Sequence, residues 1–329
     1  MSLSDYFADF IAPEGPRRAA APTLSNAKVI EYVPGALGLF PHLTSEASPL
    51  ILSAGIHGDE TAPIELFGEL LAALDAGQLL VGAPVLLIMG NRRALVTGKR
   101  FVDTNLNRLF QRGEPTLEDK NFEAGRAREL MRAVDAFLER QKLSGLHLDL
   151  HSAIRDSLYP RFAIEPHSAT PAGNDQWQML AGAGIQAALT QHTHSWTFSH
   201  YSRHYHGAQG FTLELGRVAP FGANDLAPLA PLLDLLRTLV AGTSPPATTA
   251  CPVRFEVIEE VLRENDDFEL SFGEEIANFT ELLPGTPLLR DGVNGERLVE
   301  GAPVHVVFPN ARVARGARAL LLARPVAST

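Results

Sequence analysis

Short apolar runs alternating with amphipathic segments of helical period constrain the fold of this chain more than any other feature. Leu50 to Ala54 and Val85 to Met89 each suit a buried central strand, the second bounded by Pro84 and Gly90. Between them Ile64, Phe67, Leu71 and Leu74 recur at helical spacing, with Gly77 beyond. From Asp119 to Lys142, Phe122, Leu130, Val134, Phe137 and Leu138 share one helical face, with Gly145 where a C-terminal cap would fall. Leu146 to His151 alternates strictly, so His147, Asp149 and His151 share one face of a strand. Gln176 to Leu189 reads as a further helix. Phe211, Leu213 and Leu215 alternate with Thr212, Glu214 and Gly216 in another strand, and Asp225 to Ala241 reads as a Leu-rich helix. Such recurrence predicts an α/β domain with a parallel or mixed sheet, helices on both faces and function at the strand ends.

Residues 242–252 (GTSPPATTACP) have the composition of a connection. We expect a catalytic α/β domain over 1–245 and a β-rich domain over 246–329. In the second, Val253 to Val257, Phe268 to Phe272 and Val304 to Phe308 read as strands and no segment reads as a helix. A length of 329 residues agrees with roughly two domains.

The formal net charge is -10, which argues against a surface built to attract nucleic acid. No apolar run is long enough for a membrane span or a signal peptide, and the single cysteine, Cys251, excludes an intrachain disulfide. A cytoplasmic protein that binds neither membrane nor nucleic acid is expected.

His57-Gly58-Asp59-Glu60 stands at the C-terminal end of the first strong strand. A catalytic zinc site needs about three His or carboxylate ligands and one open position. His57 and Glu60 can supply two, and His151, at a neighbouring strand end, the third. Thr61 follows Glu60, so neither the His-Glu-x-x-His helix nor its inverted form is present. Glu214, on a further strand, offers a carboxylate able to take a proton from water and pass it on. His147 reads as a core residue, and Asp149 as structural or as a group that orients a ligand. His192, His194, His200, His204 and His206 are dense enough to suggest a competing metal site, but in a Ser- and Tyr-rich loop with no carboxylate at ligand spacing they read as pocket wall or lid. The loop from Asn91 to Arg108 carries Arg92, Arg93, Lys99, Arg100 and Arg108 against Asp103. Its arginines suit a bidentate grip on carboxylates: Asn107 with Arg108 as a carboxylate clamp, and Arg100 aimed at a carbonyl oxygen.

His57 to Glu65 (HGDETAPIE), Gly98-Lys99-Arg100, Asn107-Arg108, Leu146 to Arg155 (LHLDLHSAIR), Thr212 to Gly216 (TLELG), Pro220 to Leu226 and Phe308-Pro309-Asn310 together resemble the succinylglutamate desuccinylases, in the aspartoacylase branch of the zinc carboxypeptidase clan. The resemblance runs from about residue 50 to the C-terminus. It implies a carboxypeptidase-like mixed sheet with a C-terminal β domain, and one Zn²⁺ per chain on His57, Glu60 and His151. It further implies Glu214 as general base and then acid, Arg100 as carbonyl polariser, and Asn107 with Arg108 on a substrate carboxylate. The expected reaction is hydrolysis of N-succinyl-L-glutamate, a small acidic substrate, to succinate and L-glutamate in arginine breakdown. Arg155 is the candidate for the succinyl carboxylate. Family members often carry an Arg ten residues before the catalytic Glu, where this chain has His204. Either Arg203 takes that substrate contact through a one-residue shift, or the contact is altered. Rival expectations are a deacylase of another N-acyl amino acid, a peptide carboxypeptidase, and a zinc-binding protein without activity.

Overall fold

The computed structural model describes residues 1–13, 21–113, 121–273, 275–292 and 295–326. Twelve strands form one mixed sheet among the described residues. At its centre β3 (Leu50–Ala54), β4 (Val85–Met89), β5 (Leu146–Ala153) and β8 (Gln209–Arg217) run parallel in the order β4-β3-β5-β8. On one side β2 (Ala36–Pro41) and β1 (Ala27–Val33) continue it antiparallel. On the other, β6 (Arg161–Glu165) lies antiparallel to β8, with β7 (Ala187–Thr190) parallel to β6.

The predicted alternation of β5 and β8 separates two environments. Leu148, Leu150, Phe211, Leu213 and Leu215 are buried in the larger core, together with apolar residues of α1 (Leu3–Ile11), α2 (Ala62–Asp75), α5 (Asn174–Gly182) and α7 (Ala230–Val240). The opposite face of β3 and β4 packs Ile51, Leu86 and Ile88 with α4 (Phe122–Leu138) and with Phe198 and Tyr201 of α6 (Phe198–His206). Helices therefore cover both faces, as expected. Where β3, β5 and β8 adjoin α6, that second face turns polar: Ser53, His147, Asp149, His151, Thr212 and Glu214 are all buried there. Gly210 lets α6 come this close, since a Cβ there would lie 2.4 Å from the Ser199 carbonyl oxygen.

The C-terminal part extends the same sheet. β9 (Val253–Leu262) pairs parallel with β7, followed by β15 (Arg318–Pro325), β14 (Val304–Val307) and β11 (Thr280–Leu282). β10 (Glu269–Leu270), β12 (Pro287–Asp291) and β13 (Gly295–Leu298) form a small second sheet.

Several local expectations are corrected. The helix read over Gln176 to Leu189 is α5 ending at Gly182, then β7; Gly184 turns with φ +85° between them, and a short apolar strand has no period that separates it from a helix. The basic loop contains α3 (Arg92–Thr97), capped by the Asn91 side chain, and a 3-10 turn at Leu106–Arg108. The helix expected to begin at Asp119 starts at Phe122 within the described residues and ends with Glu139 as its cap, not Gly145; Asp119 lies outside them. The Leu-rich segment is a 3-10 turn followed by α7, and the His-rich loop contains α6.

Candidate active site

His57 follows β3 in a tight turn that ends at α2. Gly58 is required here, because a Cβ would lie 2.0 Å from the Ala94 carbonyl carbon of α3. The turn brings the Glu60 carboxylate between two imidazoles. Its Oε1 lies 2.8 Å from His57 Nδ1 and its Oε2 2.8 Å from His151 Nδ1. All three side chains are buried, and a donor atom from each lies within 4.8 Å of the other two.

Each imidazole is held from behind. His57 Nε2 faces Asn105 Oδ1 at 2.9 Å, and His151 Nε2 faces Asp149 Oδ2 at 2.9 Å. Ser53 donates to Asp149 Oδ1 at 2.6 Å, so its hydroxyl oxygen accepts from His147 Nε2–H at 2.8 Å; His147 Nδ1 then accepts from Ser202 at 2.8 Å. Through this chain α6 orients His151. Outer acceptors of this kind leave the Nδ1 lone pairs for a metal ion.

Without a metal ion the three groups pair with one another. Burial alone would raise the pKa of Glu60, but His57 and His151 hold it well below the carboxylate range. Burial would lower that of His151, and the Asp149 and Glu60 charges instead hold it well above the histidine range. For His57 burial prevails and lowers it. For Glu214 burial, reinforced by the Glu60 charge, outweighs the His151 and Arg100 charges and pushes its carboxyl up to about 7, and its Oε2 is buried with no hydrogen-bond partner.

A cavity of about 340 Å³ opens in front of these residues, lined by His57, Arg100, Asn107, Arg108, His151, Arg155 and Glu214 among others. Arg100 Nη1 donates to Glu60 Oε1 at 2.9 Å. Asn107 has its Oδ1 fixed by the Phe198 N–H at 2.8 Å, leaving its amide nitrogen near His151. Arg108, on the rim of the cavity, stays charged as arginines do, and Arg318 and Arg100 line the same cavity. A cavity walled by like charges favours a bound anion.

The structure does not bring Arg203 to this cavity. Its guanidinium donates to Glu165 at 2.8 Å, to the Thr170 carbonyl at 2.6 Å and to Gln209 at 3.1 Å, a buried ion pair between α6 and the β6 and β8 strands. The substrate contact expected of it is taken up by these internal partners. Arg92, Arg93 and Lys99 also lie elsewhere: Arg92 caps α1 through the Phe10 and Ala12 carbonyls, and Arg93 sits over Phe122. Two lining groups went unread in the sequence. Asn105 is an uncharged amide in a loop, and Arg318 opens β15, far along the chain. The motif Phe308-Pro309-Asn310 pointed to that region, and all three residues line the cavity with Arg318.

The model of the succinylglutamate desuccinylase/aspartoacylase catalytic domain matches residues 46–240, and that of the AstE/AspA barrel-sandwich hybrid domain matches residues 251–326. The chain belongs to this family. A succinylglutamate desuccinylase of Burkholderia orbicola is 36% identical over 325 residues, 97% of this chain and 94% of that protein. The solved structure of a succinylglutamate desuccinylase from Vibrio parahaemolyticus superposes with a TM-score of 0.89 at 33% identity, covering 98% of this chain and 95% of the other. A Vibrio cholerae counterpart gives 0.89 at 31% identity, covering 97% and 94%. The carboxypeptidase-like mixed sheet with a C-terminal β-rich part is thus the family's fold.

Proposed function

We propose that this family member hydrolyses N-succinyl-L-glutamate to succinate and L-glutamate, with one Zn²⁺ held by His57, Glu60 and His151. The donor set fits that ion: two imidazole nitrogens and a carboxylate, with both rear nitrogens backed by oxygen acceptors. Zn²⁺ bound there supplies Lewis acidity, which polarises an acyl oxygen and makes water acidic near neutral pH.

The chain's own residues do the rest. Glu214 Oε2 takes the proton of the attacking water and later delivers it to the departing amine nitrogen of glutamate, so that water adds hydroxyl to the acyl carbon and hydrogen to nitrogen. Arg100 hydrogen-bonds the acyl oxygen as negative charge develops on it. The Asn107 amide and Arg108 hold the glutamate end, and Arg155 with Arg318 the succinyl carboxylate. In this reading residues 1–245 carry the chemistry and 246–329 close one wall of the substrate site. Four arginines around one cavity suit a substrate with three carboxylates. We place the reaction in arginine breakdown in the cytoplasm; no helix among the described residues is long and apolar enough to cross a membrane.

The observation that carries this reading is Glu214, a buried carboxylate with a free oxygen in the wall of the cavity that His57 and His151 also line. A protein that only bound metal would have no use for it. Side-by-side turnover of N-succinyl-L-glutamate and N-acetyl-L-aspartate, followed as succinate and acetate release, tests the assignment. Succinate release at least about 100-fold more efficient, roughly 2.7 kcal/mol of discrimination, is expected; preference for the acetyl substrate would replace it with the other branch of the family.

A further inference from the structure

Beside the Ser195 and Thr197 side of the cavity, His194, His200 and His204 converge from two directions. His200 and His204 are four residues apart on α6 and so share a face, with ring centroids 5.3 Å apart. His194 comes from the preceding segment, 5.0 Å from the His200 ring and 4.9 Å from that of His204. Its Nδ1 lies 3.0 Å from His200 Nε2, so a single proton serves two facing nitrogens. His200 is fully buried and its other nitrogen, Nδ1, has no hydrogen-bond partner. One nitrogen from each ring falls within 4.8 Å of the others.

We propose that these three histidines form a second metal site, taking a borderline divalent ion of the zinc, nickel or copper class. Three imidazoles with no carboxylate among them match the ligand preference of those ions and not of calcium or magnesium. The nitrogens of a tetrahedral zinc site stand about 3.4 Å apart, as bonds of roughly 2.0 to 2.1 Å require. The His194–His200 pair is already near that spacing, and the exposed His204 has the freedom to close the remainder. Trp196 stacks on His194 with centroids 5.2 Å apart, and His167 stands 5.3 Å from the same ring as a fourth imidazole.

An ion here ties α6 to the segment before it, which lines the cavity. Ser195 and Thr197 line the cavity in the same segment as His194, and Thr197 caps α6. The helix in turn holds β5 and β8 through Ser202 on His147 and Ser199 on Thr212, the latter at 2.8 Å. Binding should therefore stiffen the segment from Gln191 to His204 as a unit.

The test uses full-length chain stripped by a chelator and titrated with Zn²⁺ against a chromophoric indicator of micromolar affinity. Wild type is expected to take up two equivalents, and His204→Gln, His194→Gln and His57→Gln one each. In the His57→Gln background Zn²⁺ should raise Tm by several degrees, and adding His204→Gln should abolish that rise while leaving the metal-free Tm unchanged, because His204 is exposed. Equal uptake by wild type, His204→Gln and His194→Gln would overturn the proposal, as would a Tm rise that persists without His204.

Discussion

His151 and Glu214 lie directly opposite each other in the parallel β5–β8 pair. Register alone therefore sets a metal-ligand candidate beside a general-base candidate, on the one sheet face that α6 leaves open to the cavity. Slippage of β8 by one residue would turn Glu214 into the apolar core and bring Leu213 or Leu215 in its place. Burial of Phe211, Leu213 and Leu215, each worth about 2 kcal/mol, opposes that slip.

Replacing Glu214 by Gln should keep the fold and the bound zinc while lowering kcat by about 10² to 10⁴-fold with little change in KM. Metal content and steady-state rates of the purified variant check this. Activity within threefold of wild type would remove Glu214 from the reaction.

The pH profile should carry the mark of the same carboxylate. Glu214 must be ionised to accept a proton, and burial pushes it up to about 7 in the metal-free chain. A cation at His57, Glu60 and His151 favours the ionised form, so kcat/KM should fall on the acid side with a midpoint at or below about 7. In Glu214→Gln that limb should vanish from whatever residual rate is left.

His147 should make the fold acid-sensitive. Its pKa is lowered to about 4 by burial, against 6.5 in the unfolded chain, so the native state stays neutral where the unfolded state takes up a proton. The stability that depends on this is complete above pH 6.5 and is lost progressively as pH falls towards 4, reaching about 3 kcal/mol. Urea unfolding between pH 4 and 7 should show a shallower slope for His147→Gln than for wild type. Parallel slopes would place the acid sensitivity elsewhere.

Gly58→Ala should destabilise the chain by more than the roughly 1 to 3 kcal/mol of ordinary overpacking, because the added carbon meets backbone atoms of α3 that cannot rotate away. Loss of zinc should accompany it, since His57 and Glu60 flank that turn. Thermal unfolding with metal analysis checks both effects.

Arg318→Gln, in the C-terminal part, should raise KM for N-succinyl-L-glutamate about 10-fold or more at nearly unchanged kcat, because it removes a contact equally present before and during the reaction. An unchanged KM would show that the β-rich wall does not hold the succinyl carboxylate.

What could be read from residue order was what lies close in sequence or repeats with a period. The alternation in β5 and β8 separates apolar from polar faces over six residues, and His57 and Glu60 are three apart, so local geometry already aims them together. Asn105 and Arg318 escaped because the contacts that give them meaning are tertiary. Residue order leaves Arg203 open between a substrate contact and an altered one for the same reason: its partner Glu165 lies 38 residues earlier, and only folding pairs them. α6 was hidden by its Ser, His and Tyr content, poor in helix formers, and is held by docking on β5 and β8 more than by propensity. The edge strand β1, half-buried along most of its length, and its neighbour β2 show no clean alternation of buried and exposed residues.

Zinc on His57, Glu60 and His151 and the base Glu214 should release succinate only together. Succinate release from N-succinyl-L-glutamate should be measured on one preparation with native zinc, after removal of metal by a chelator, and after zinc is returned. Activity should disappear with the metal and return with the first equivalent of zinc, in wild type but not in Glu214→Gln. Full activity from metal-free protein, or no succinate from zinc-loaded wild type, would contradict the account.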